Sequence, residues 1–217
     1  SAPSQNLFRF TLTPTAQLDA NPQAKAAVER ALTKWAESFD NDVTTAVRVD
    51  FGSTLFGNPF PTSDTVAVTS VEFAPITYEF LAAMLTDRSF NLSQRALYEA
   101  FPQGEFDTEL GSVSRMRLPA PLGKVTGAIA AGFTNPVTIG FNSNKKYDFD
   151  PGDGIDADKL DFEALVLREI GRALGFVSSA GSAEAKYENQ ANASFHDAET
   201  MWDIFRFRDH ATLAEFN

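Results

Sequence analysis

The 217 residues, 43% hydrophobic and 22% charged, are enough for a sizeable core and too apolar for a disordered or collagen-like chain. A net charge of -11, from 29 acids against 18 Lys and Arg with no basic cluster, disfavours a nucleic-acid partner. The absence of cysteine excludes disulfides, thiol catalysis and thiolate metal sites, and no stretch nears the roughly 18 uncharged apolar residues of a membrane span.

Ser1-Ala2-Pro3 is compatible with a processed N-terminus, so a secreted, extracellular protein is expected. Phe8, Phe10 and Leu12 alternate with Arg9 and Thr11, which predicts a half-buried strand closed by Pro14. Asn21-Pro22 then supplies a cap and a first-turn proline. Val28, Leu32, Trp35 and Phe39 follow at helical spacing and predict an amphipathic helix. Val43, Val47, Val49 and Phe51 predict a second strand ending at Gly52, and Val66, Val68 and Val71 a third after a loop over 52–64. The opening order is β-α-β-β.

Over residues 76–101 two packing helices are expected. One carries Phe80, Leu81, Met84 and Leu85; the other is capped by Ser93 and carries Leu97 and Phe101. Recurrent Gly and Pro from 102 to 136 predict extended loops and short strands, before Val137, Ile139 and Phe141 form an edge strand. A long helix is predicted from Asp158 to Phe176, stopping near Gly175, and a last amphipathic cluster at Met201, Trp202, Ile204, Phe205 and Phe207. No repeat or linker interrupts the chain.

Two features carry chemistry. Between Ala164 and Val177 only Arg168, Glu169 and Arg172 are polar, which predicts a helix buried nearly all round. Two like charges one turn apart there must face a cleft or carboxylates such as Glu169, Asp197, Glu199 or Asp203. The second feature is the acidic run Tyr147-Asp148-Phe149-Asp150-Pro151-Gly152-Asp153-Gly154-Ile155-Asp156-Ala157-Asp158. Its crowding makes Asp148, Asp150, Asp153 and Asp156 candidate calcium ligands, although the spacing misses the EF-hand pattern. The alternative is a solvated loop in which Asp156 or Asp158 caps the long helix. Asn91-Leu92-Ser93 and Asn192-Ala193-Ser194 match the glycosylation pattern, which is short enough to arise by chance.

With His for both arginines, Arg168-Glu169-Ile170-Gly171-Arg172 would read as the H-E-x-x-H zinc helix. Asp153-Gly154-Ile155-Asp156, Asp161-Phe162-Glu163 and the stretch from Ala173 to Ser178 complete the likeness. On these residues the chain resembles the zincin superfamily, and within it the bacterial secreted matrixin-like metalloproteases. The resemblance implies one α+β zincin-like domain over residues 1–217, with a short C-terminal subdomain from about 179. Its parts would be a twisted mixed sheet with an edge strand over the cleft, a backing helix, and a buried active-site-type helix.

The resemblance also implies zinc, with Glu169 as a vestigial general base and Arg168 and Arg172 at degenerate metal-ligand positions. Guanidinium stays protonated and has no lone pair for a metal, so both imidazoles of the pair are lost. A third ligand is expected after the helix, where position 178 is Ser; of the two histidines, His196 and His210, His196 is the better residual candidate. The expected function is a secreted, non-catalytic protein that binds a protein or peptide partner, a second copy of itself included. The alternatives are a zinc endopeptidase in a substituted, inactive form, and a calcium-stabilised subunit of an extracellular filament or surface layer.

Overall fold

The computed structural model describes residues 8–39, 42–102, 104–108, 111–129, 135–178 and 200–205. His196, His210, Asp197, Glu199, Phe207 and the Asn192 sequon lie outside them. The protein is α+β, with helices beside a mixed sheet. No helix among the described residues is long and apolar enough to cross a membrane. The chain divides into two compact units, Ser1–Glu72 with Ala130–Leu174, and Phe73–Ile129 with Gly175–Asn217.

The first unit is built on four strands. These are β1 (Arg9–Pro14), β2 (Thr44–Gly52), β3 (Ala67–Ser70) and β8 (Val137–Asn142), in the order β1-β2-β8-β3. The first three in that order are mutually parallel, and β3 runs antiparallel to β8. The expectation of an edge strand at 137–142 is therefore corrected: β8 is interior and the edges are β1 and β3. Val137, Ile139 and Phe141 are buried, and at Gly140 a β-carbon would meet Leu55 Cδ1 at 2.2 Å, so the glycine leaves room for the Leu55 side chain that packs over β8.

Helix α1 (Ala16–Asp19) and helix α2 (Pro22–Ala36) follow β1, with Val28, Ala31 and Leu32 turned inward. Asn21 sits at the expected start of α2, but its amide donates to the Gln17 carbonyl at 2.8 Å instead of capping the helix. The fully buried Asp50 accepts from Thr15 Oγ1 and from the Phe56 amide, which ties the end of β2 to α1 and to the following loop. Short strands β9 (Tyr147–Asp148) and β10 (Leu160–Asp161) pair in parallel and bracket the acidic run.

Helix α6 (Phe162–Ala173) is shorter than the predicted 158–176. Its cap is Asp161, whose carboxylate accepts the Ala164 amide at 2.9 Å, and not Asp156 or Asp158. Gly175, at φ +101°, stops it in the left-handed conformation that glycine adopts without strain. Phe162 is fully buried, its ring 5.0 Å from Phe141 and Tyr147, 5.1 Å from Phe149 and 5.3 Å from Phe51.

The second unit contains the antiparallel pair β4 (Phe73–Thr77) and β7 (Arg115–Pro119), and the hairpin β5 (Phe106–Thr108) and β6 (Gly111–Val113). Its helices are α3 (Tyr78–Asp87), α4 (Leu92–Glu99) and α5 (Ala120–Thr126), with a 3₁₀ turn at Met201–Phe205. Thr77 caps α3, and Asn91, not Ser93, caps α4 by accepting the Gln94 amide. Ile76, Tyr78, Leu81, Met84, Phe101, Met116, Leu118 and Ile204 form its core.

Candidate functional site

Helix α6 carries the residues singled out in the sequence, and α2 fixes its position. Trp35 Nε1 donates to the Leu167 carbonyl at 2.9 Å. Glu163, 3% exposed, receives Arg30 Nε at 2.7 Å and Lys34 Nζ, two side chains one turn apart on α2. Burial pushes the Glu163 carboxyl up, but the hydrogen bonds and charges of Lys34 and Arg30 outweigh it and hold the group below its ordinary range.

A carboxyl lowered by folding stabilises the native state above its unfolded pKa of roughly 4.3, and loses that contribution as pH falls through the lowered folded value. Glu163→Gln is therefore expected to cost about 1–2 kcal/mol at pH 7, modest because both cations are half-exposed. Urea midpoints of the two proteins should converge on acidification below about pH 4. A gap that stays constant down to pH 3 would assign the effect to packing and not to charge.

The apolar-all-round reading of α6 is corrected on one face. Ala164, Arg168 and Arg172, at i, i+4 and i+8, form an exposed stripe, and the two arginine side chains are 60% and 56% exposed. Glu169 is the reverse, 2% exposed. Its Oε1 accepts from Arg168 Nε at 2.9 Å and Nη2 at 2.7 Å, and its Oε2 accepts from Thr69 Oγ1 on β3 at 2.7 Å. Arg172 Nε stands 3.8 Å from Oε2, an ion pair too long for a hydrogen bond.

The structure thus brings Arg168, Glu169 and Arg172 together and adds Thr69, 100 residues distant in sequence. Both Glu169 oxygens are engaged, and the guanidiniums lie out along the exposed stripe while the carboxylate stays inside. Asp203, the fourth expected partner, accepts from Ser178 Oγ and from the Thr200 amide and hydroxyl within the second unit.

The β3 edge beside this cluster has a defined polarity. The Asn142 amide donates to the Val66 carbonyl at 2.9 Å, so in the antiparallel register residues 66, 68 and 70 exchange hydrogen bonds with β8. Ala67 and Thr69 direct their backbone N–H and C=O groups the other way, to an edge on which no described strand pairs.

The acids of the 148–158 run do not converge. The two Asp148 oxygens accept the Asp150 and Asp156 amides at 3.0 and 2.9 Å, and these bonds lower its carboxyl pKa. Asp150 accepts the Gly152 amide, Asp156 pairs with Lys159, and Asp153 is exposed. Among the described residues no three carboxylates or histidines gather into a metal-holding group. Tyr147 donates to the Asn142 carbonyl at 2.9 Å, and burial raises its hydroxyl to about 12, so it stays protonated.

Sequence reasoning missed Thr69, Arg30, Lys34 and the anchoring use of Glu163. The i, i+4 spacing of Arg30 and Lys34 was the one local signal, and it did not reveal the acid they meet. Comparison with protein-family models, with curated proteins and with solved structures finds no match.

Proposed function

We propose that this is a secreted zincin-like protein without protease chemistry, which acts by binding a protein partner along the free edge of β3. The supporting observation is Glu169. In the zincin reading it is the general base, yet its two oxygens are held by Arg168 and Thr69, with Arg172 close behind. A base so engaged already accepts three hydrogen bonds on its roughly four lone-pair sites, and guanidinium cannot ligate a metal. Glu169 and Thr69 alone do not make a zinc donor set, so the described residues do not fit zinc.

The binding half of the reading rests on the open edge. A strand edge with outward N–H and C=O groups can take an added strand, main-chain hydrogen bonds giving affinity and side chains giving selection. Ala67 and Thr69 supply those groups next to the helix that carries the altered motif.

Restoring imidazole at both positions tests the loss of chemistry. Arg168→His together with Arg172→His, dialysed against zinc and assayed on casein, is expected to remain inert, because a full ligand set is not restored and Glu169 stays bonded to Thr69. Robust cleavage by the double variant would overturn the reading.

A further inference from the structure

The β3 edge and the arginine stripe adjoin, and their chemistry selects a class of partner. Resting on the strand-addition reading above, we infer that this edge takes an extended segment with an Asp or Glu side chain beside Thr69, and that Arg172 grips this carboxylate. Thr69 turns its backbone groups to the free edge, so a residue added opposite it forms a hydrogen-bonded pair with it. Residues opposite each other across a ladder share a face. The Thr69 side chain meets Glu169, so the added residue's side chain lies on the α6 face as well.

That face offers a cation with capacity to spare. Arg168 commits Nε and Nη2 to Glu169, whereas Arg172 has only the 3.8 Å approach of its Nε and keeps its terminal nitrogens without a partner among the described residues. Two guanidiniums against one carboxylate leave a local surplus of one positive charge on a chain of net charge -11. A planar guanidinium fork matches a carboxylate in bidentate geometry, which makes an acidic side chain the complementary group. The edge offers outward groups at both Ala67 and Thr69, so the segment runs past the site, and the acid is a side chain within it rather than a chain terminus.

The test compares two N-acetylated, C-amidated peptides, Thr-Val-Glu-Val-Thr and the same sequence with Gln at the centre. Binding to the intact chain is followed by NMR shifts of the Ala67 and Thr69 amides. The Glu peptide should bind about tenfold tighter, and Arg172→Ala should reduce it to the affinity of the Gln peptide. Arg172 is half-exposed and loosely paired, so this variant should fold, and the Glu–Gln comparison on the unaltered chain stands without it. Equal binding of both peptides would overturn the carboxylate inference and leave strand addition intact. If neither peptide shifts the edge amides, strand addition fails with it. Concentration-dependent self-association abolished by Arg172→Ala would assign the edge to a second copy, through its exposed acids at 150–158, and would overturn the separate partner.

Discussion

Arg168→Ala is expected to lower stability by about 2–3 kcal/mol at pH 7, measured from urea denaturation midpoints. The cause is the acid left behind. Glu169 is almost wholly enclosed, and Arg168 places two donors on one of its oxygens. Removing those donors leaves a carboxylate in the interior with the Thr69 hydroxyl and Arg172, whose Nε stands 3.8 Å away, as its remaining partners. The loss stays below the roughly 3–5 kcal/mol typical of a broken, fully buried pair because the Arg168 side chain is itself mostly in solvent.

The same physics predicts recovery. Replacing a buried ion pair by apolar residues of similar volume is often neutral or stabilising, so Arg168→Ala with Glu169→Leu should regain most of the loss. A double variant no more stable than the single one would show that the cost arises from lost packing of the arginine stem, and not from a stranded charge.

Phe162→Ala should destabilise more, by about 3–5 kcal/mol, since it removes a fully buried ring and leaves a cavity that rigid neighbours cannot fill. Four aromatic rings, those of Phe51, Phe141, Tyr147 and Phe149, have centroids within 5.3 Å of it, drawn from β2, β8, β9 and the loop after it. Phe162 is also the first residue of α6, so the ring cluster fixes where that helix enters the unit. Phe162→Leu, which keeps most of the volume, should cost about half as much, again read from urea midpoints. A loss below about 1 kcal/mol for the alanine variant would mean that the surrounding rings collapse into the space.

The elements written in long, regular patterns were legible. The apolar stripe of α2, the alternation in β2 and β8, and the glycine stop after α6 each state their structure within ten or so residues. Alternation shows which residues of a strand face the core, but not which strands lie beside it, and so β8 was placed at an edge although it is interior. The short strands expected over 102–136 are there as β5, β6 and β7, but β4 escaped notice because Pro75 interrupts its alternation, and α5 because Pro121 and Gly123 hide a seven-residue helix in a Gly- and Pro-rich stretch.

For the site, the polar residues of an otherwise apolar helix named Arg168, Glu169 and Arg172 from sequence alone. The polarity was not legible. A helix with few polar residues suggested burial on all sides, whereas 3.6-residue periodicity places Ala164, Arg168 and Arg172 on one exposed line and turns Glu169 inward. Nothing local could reveal that Thr69 is the second partner of Glu169, since that hydrogen bond joins an edge strand to a helix across 100 residues.

Elemental analysis after dialysis against zinc tests the central claim most directly, with casein hydrolysis read on the same sample. On the proposed reading, in which the guanidiniums paired to Glu169 take the places of a zincin's imidazoles, the protein should hold far less than one zinc per chain and leave casein intact. One zinc per chain, with cleavage that a chelator stops, would contradict the account.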